Sequence, residues 1–157
     1  MKRFWKAGRI ILLSLLLSYL AVLLVYYGRV MLNQKSVEKK VGAFLKAVQE
    51  RHVQEAVERY GGAIDMESMR VLLQEEGSRL LSYSRVKAEF DDGCVCGGHV
   101  DLTFEVNGKP LNVSAIFTLG PGNKPRQVCA LTPSGTERGS IPALSGWNRT
   151  ICGGDSF

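Results

Sequence analysis

Ile10–Tyr27 is an unbroken run of eighteen residues without a charge, IILLSLLLSYLAVLLVYY, bracketed by Arg9 and Arg29. At ~1.5 Å rise per residue the run reaches roughly 27 Å, close to the ~30 Å hydrocarbon core of a bilayer. Tyr26 and Tyr27 fall where an interfacial aromatic belt sits. The run therefore predicts a transmembrane helix over residues 10–28, with a basic tail at 1–9, a juxtamembrane linker at 29–35 and a tethered domain beyond.

A cleaved signal peptide is the rival reading, because Lys2, Arg3 and Lys6 make a basic region ahead of the apolar stretch. The stretch exceeds the usual ~7–15 residues of a signal sequence, and its exit, Val25-Tyr26-Tyr27-Gly28-Arg29, lacks the small residues of a cleavage site. An uncleaved signal anchor fits better. Basic residues before the helix (Lys2, Arg3, Lys6, Arg9) are matched by those after it (Arg29, Lys35, Lys39, Lys40), so a count of positive charges leaves orientation tied. Translocating a short tail rich in cations and free of acids is costly, which favours a cytoplasmic N-terminus and an extracytoplasmic C-terminal domain, periplasmic in a bacterium.

The chain holds 20 Lys and Arg against 15 Asp and Glu. Five of those cations, Lys2, Arg3, Lys6, Arg9 and Arg29, flank the apolar run, leaving 15 to balance 15 acids. A neutral domain lacks the basic stripe that neutralises phosphates, so nucleic acid is excluded as the expected partner.

One domain of about 105 residues remains between Ser36 and Ser140. Val37, Val41, Phe44, Leu45, Val48, Ala56 and Tyr60 recur with the 3.6-residue period of an amphipathic helix, with Ser36 as its N-cap and Gly61-Gly62 as its stop. Asp65 can cap a second helix whose spacing, through Met69, Leu72, Leu73, Leu80 and Leu81, continues to about Ser82. The period then changes to two. Val86, Ala88 and Phe90 alternate with charged residues in 85–90, and Val100, Leu102, Phe104 and Val106 alternate with polar ones, His99, Asp101, Thr103 and Glu105, in 99–106. Asn107-Gly108 is a hairpin signal leading to a strand over Leu111–Leu119, and a fourth strand follows over Arg126–Thr132. Two helices followed by four strands, with no helix between strands, predict an α+β domain over 36–132, its helices packed on one face of an antiparallel sheet. The Gly-, Pro- and Ser-containing tail, 133–157, reads as extended, with Ile141, Leu144, Trp147 and Ile151 docking on the domain or on another protein; Trp147 is the candidate partner contact.

A membrane anchor, then V-x-x-F-L-x-A-V (Val41 to Val48), then a second helix ending L-L-x-Y (Leu80 to Tyr83), then antiparallel strands resembles the nuclear transport factor two-like, or cystatin-like, domains of bacterial single-pass membrane proteins. The resemblance covers about Ser36–Thr132 and rests on element order and loose patterns. It implies a cone in which helices cover a curved sheet, and a role as a scaffold or accessory subunit that binds proteins. Some soluble relatives hold small ligands or catalyse inside the cone. The Cys94/Cys96 insertion and the Cys-containing tail depart from that pattern.

Cys94, Cys96, Cys129 and Cys152 all follow the apolar run, and an even number outside the cytoplasm predicts two disulfides. A bond between Cys94 and Cys96 spans only one residue and is the least comfortable pairing, leaving 94–129 with 96–152, or 94–152 with 96–129. A metal site from Cys94, Cys96, His99 and a third thiol is the rival, but C-x-C lacks the usual ligand spacing, so no metal or other cofactor is expected.

The remaining polar residues carry no reaction signature. His52 falls on the apolar stripe and reads as a hydrogen-bonded interior or boundary histidine. His99 and Asp101 share a strand face that reads as exposed and charged rather than as an acid–base pair. Gly97-Gly98, Gly120-Pro121-Gly122 and Gly153-Gly154 read as turns, not as a phosphate cradle. No serine sits in a nucleophile elbow. Expected partners are the lipid bilayer and other membrane or extracytoplasmic proteins, with the chain acting as a non-enzymatic scaffold or accessory subunit of a membrane assembly. Two alternatives stand beside it: a small-ligand-binding or catalytic cone using His52, Tyr60 and Tyr83, and a thiol redox or metal-binding factor.

Overall fold

The computed structural model describes residues 2–74, 78–131 and 141–153, without the side chains of 2–8 and 10. Compact units comprise residues 1–33 and 34–157. The elements are α1 (Lys2–Gln49), α2 (Val53–Arg59), α3 (Met66–Gln74), β1 (Ser78–Asp91), β2 (Cys94–Val106), β3 (Lys109–Leu119), β4 (Pro125–Ala130) and α4 (Ser145–Ile151).

In the first unit, α1 is long and apolar enough to cross a membrane, and none of its most apolar window is covered by protein. Leu12, Leu16, Leu20 and Leu24 all stand exposed.

α1 is longer than the sequence period suggests. It runs without a break through 29–35, so those residues are helical and Ser36 lies inside the helix rather than capping it. No proline lies between Gly28 and Gln49, and Gly42 costs only ~1 kcal/mol relative to alanine. The helix also ends earlier than Gly61-Gly62. Arg51 takes a left-handed φ of 58°. Its N–H donates to the Val48 carbonyl at 3.1 Å, and that of His52 to the Ala47 carbonyl at 2.9 Å. This is the double closure of a Schellman cap made without glycine.

Asp65 caps α3 as its position predicts, its Oδ1 accepting from the Ser68 N–H at 2.6 Å. That bond, with others from the same turn, holds the Asp65 carboxyl below the usual aspartate range. The second helix does not reach Ser82. α3 ends at Gln74, and Leu80, Leu81, Ser82 and Tyr83 belong to β1, where Leu80 faces Phe104 of β2. The L-L-x-Y pattern is therefore a strand pattern here.

The four strands form an antiparallel meander in the order β1-β2-β3-β4. Asn107 and Gly108 have φ of 51° and 74°, the paired left-handed residues of a two-residue hairpin, with Val106 opposite Lys109. Asp92 and Gly93 repeat the device between β1 and β2, with φ of 46° and 85°. Gly97 and Gly98 are not a turn but lie within β2. Gly98 opposes Phe117, and a Cβ there would sit 2.6 Å from the Phe117 ring and 2.9 Å from the Ala88 backbone, so only glycine fits.

One sheet face joins the helices in a single core. Val37, Val41, Phe44, Leu45 and Val48 of α1 meet Met69, Leu72 and Leu73 of α3 and, from the sheet, Leu80, Val100, Leu102, Phe104, Val113, Ala115, Phe117 and Val128. The β-strand alternation predicts that face correctly except at Phe90, which is 37% exposed. Shifts in β1 pairing at Ser84/Lys87 and Glu89/Phe90 twist the hairpin end and change which side chains point inward.

The described part of the tail is not extended. Ser145–Ile151 is helical, and Leu144, Trp147 and Ile151 are fully buried. Trp147, expected as a partner contact, is instead core: its ring meets Phe104 edge-on with centroids 5.1 Å apart, and its Nε1 donates to the Val128 carbonyl at 2.8 Å. Residues 132–140 and 154–157, including Thr132, Pro133, Gly135, Gly139 and Gly154, lie outside the described residues.

Candidate functional site

The sheet face away from the helices carries a polar ladder. Arg79 pairs with Glu105 at 3.1 Å, Arg85 with Asp101, and His99 Nδ1 with Glu89 at 3.0 Å. Thr103 Oγ1 donates to Asn112 Oδ1 at 2.8 Å, and Thr118 Oγ1 to Gln127 Oε1 at 3.2 Å. Ser114 Oγ donates to Asp101 Oδ1 at 3.3 Å. Such cross-strand pairs are each weak but fix side-chain positions across the sheet. His99 and Asp101 do share the face, yet each takes a different partner, so they form no acid–base dyad.

Both sheet edges are occupied by the domain itself. On β1, Gln34 Nε2 donates to the Ala88 carbonyl at 3.1 Å, and the Ala88 N–H donates to Glu38 Oε1 at 3.2 Å. Leu81, which the pairing skips, has its carbonyl taken by Gln49 Nε2 at 2.8 Å. On β4, the Gly61 N–H reaches the Pro125 carbonyl at 2.7 Å and Trp147 takes Val128. These contacts blunt the edges against strand addition; among the described residues the ladder face is open over β1 to β3, while at β4 Gln127 is half-buried and donates from Nε2 to the Cys152 carbonyl at 3.2 Å.

The three residues expected to line a pocket have separate surroundings. Tyr60 is buried, stacks against Phe44 with centroids 5.4 Å apart, and donates its hydroxyl to the Ile151 carbonyl at 3.1 Å. Burial pushes that hydroxyl up to about 12, with Arg126 opposing the shift. Tyr83 is half-buried on β1, its ring against the position of Gly42. His52 is not on an apolar boundary. It is exposed at the break between α1 and α2, its Nδ1 3.6 Å from Glu50 and 3.3 Å from Glu55. The groove beside it is lined by Glu55, Glu58, Arg59 and Lys124, with neither tyrosine. Glu55 sits below the ordinary glutamate range, chiefly because Arg59 hydrogen-bonds to it. A hollow between Leu72, Leu80, Phe104 and Trp147 measures about 20 Å³, room for roughly one water.

The cysteines pair in the one way the sequence reading set aside. Cys129 bonds to Cys152, both buried, with Cα atoms 4.7 Å apart, and Cys94 bonds to Cys96, with Cα atoms 5.5 Å apart. The reason is local. Glu89 pairs with Gly97 and Phe90 with Val95, so Cys96 is the extra residue of a bulge. The bulge shortens the ~6.6 Å that two strand residues normally span, into the disulfide range. Among the described residues no His, Cys, Asp and Glu cluster is suited to a metal.

Neither protein-family models, nor curated proteins, nor solved structures give a match to this chain.

Proposed function

We propose that the chain is a single-pass membrane protein whose domain acts as a non-enzymatic scaffold or accessory subunit, binding the extracytoplasmic part of another membrane protein. The observation that carries this reading is the exposed ladder face running from Arg79 on β1 to Asn112 on β3, whose ion pairs and hydrogen bonds preorganise a surface of mixed charge. Mixed charge suits a polar protein surface and not a polyanion. The interior supports the same reading, since Phe44, Leu73, Phe104, Phe117 and Trp147 fill the space that a ligand-holding cone would keep open. The exposed apolar span of α1 supports membrane anchoring. The basic N-terminal tail supports a cytoplasmic N-terminus, and cysteine pairs at bonding distance support an oxidising compartment for the domain.

The test is purification of the intact protein from its own membrane in mild detergent, as wild type and as Thr103→Arg with Asn112→Arg. A stoichiometric membrane protein partner that is retained by wild type and lost from the folded variant is the expected result. Isolation without any protein partner, but with a small molecule bound in native mass spectrometry, would overturn it.

A further inference from the structure

We propose that Cys94 and Cys96 form a surface thiol–disulfide exchange site that cycles with a dithiol partner while the domain stays folded. The Asp92-Gly93 turn puts the pair at the tip of the β1–β2 hairpin, with Asp91 opposite Cys94. Val95 between them is 5% exposed, so it faces inward and turns both cysteines outward; Cys96 is exposed and Cys94 half-exposed. Gly93 and Gly97 flank the pair without side chains that could screen the sulfurs.

The two disulfides differ in what they hold. Cys129–Cys152 closes a separation of 23 residues, ties α4 to β4 and is buried, so a thiol reaches it only when the domain opens. Cys94–Cys96 closes a separation of 2, and the hairpin around it is already held by pairing from Ser78 to Asp91. Reducing it releases almost no chain entropy and removes no long-range restraint. An exposed disulfide of this kind belongs to the labile class rather than the structural one.

The exchange balances without a further reagent. A partner thiolate attacks the exposed Cys96 sulfur, forming a mixed disulfide and expelling the Cys94 thiolate, which takes a proton from water. The second partner thiolate then attacks the partner's own sulfur in that mixed disulfide and releases Cys96, also protonated. Two electrons and two protons pass to the pair, and the partner leaves as a disulfide; the reverse sequence oxidises a partner dithiol. The exposed Asp91 and Asp92 favour a partner whose thiol is surrounded by cations.

The test equilibrates the intact protein, in detergent, with graded dithiothreitol, traps thiols by alkylation and maps them by mass spectrometry while circular dichroism monitors the fold. Cys94 and Cys96 are expected to label at a dithiothreitol concentration at least about tenfold below that for Cys129 and Cys152, with the fold unchanged. In Cys94→Ser the remaining Cys96 is expected to take up glutathione from glutathione disulfide. Simultaneous labelling of all four cysteines, labelling only on unfolding, or a Cys94/Cys96 pair already fully alkylated in unreduced protein from its native compartment would overturn the proposal. If Cys94→Ser does not fold, the wild-type titration decides alone.

Discussion

Trp147 Nε1 donates to the Val128 carbonyl at 2.8 Å, so a tryptophan far along the tail closes a backbone group on the last strand. The indole is also wedged against Phe104, which makes α4 part of the core and not an appendage. Trp147→Ala is expected to cost ~3–5 kcal/mol, the range for emptying a fully buried aromatic site. Trp147→Phe keeps most of the packing but leaves the Val128 carbonyl without its donor, for a loss of ~1–3 kcal/mol. Thermal denaturation of the intact protein in detergent measures both. Equal, small effects would contradict this placement.

Cys129–Cys152 holds the same element from its far end. Cys152→Ser is expected to lower stability by about 3 kcal/mol, the chain-entropy value for a loop of this size. Denaturant unfolding of the oxidised wild type and the variant gives the difference, and an unchanged midpoint would show that the bond restrains nothing.

Tyr60 makes stability depend on alkaline pH. Below about pH 10 its phenol is neutral in folded and unfolded chains alike; between about 10 and about 12 only the unfolded chain ionises it. Proton loss then favours unfolding, so Tyr60's contribution is full below about 10 and lost as pH rises through about 12. The melting temperature of wild type should fall more steeply across that window than that of Tyr60→Phe. Parallel curves would contradict the burial of the hydroxyl.

The membrane reading predicts that Leu16→Arg, in the middle of the uncharged run, weakens insertion by ~2.5–3.5 kcal/mol on translocon scales. Alkaline carbonate extraction should leave wild type in the pellet and release part of the variant. Release of wild type, or a mature N-terminus near Gly28, would reject the anchor.

Local patterns in the sequence were enough to read the number and order of the strands, but not where β1 and β2 begin. Alternation placed Leu102, Phe104, Val113 and Phe117 on the buried face, and Asn107-Gly108 marked the hairpin. Asp92-Gly93 carried the same turn signature but was obscured by the cysteines beside it. What escaped depended on contacts between distant residues or on unusual local geometry. The cap at Arg51 forms without glycine, so the end of α1 carries no composition signal. Leu80 and Leu81 fit a helical spacing as well as a strand, and pairing with β2 decides between them. Cys94 could be paired with Cys96 only once the bulge was known, and Trp147 looked like a surface anchor because its partners, Val128 and Phe104, lie 19 and 43 residues earlier. The ladder face was legible as polar, but its internal pairing was not.

Site-specific photo-crosslinking in the native membrane tests the proposed surface most directly. A photoreactive residue is placed at Lys87, Thr103 or Asn112 on the ladder face, and at Gln54 or Glu67 on α2 and α3 as controls. The account predicts a discrete adduct with one membrane protein from the ladder positions and none from the helical ones. Adducts from the helical positions alone, or no adduct from any ladder position in correctly folded protein, would contradict it.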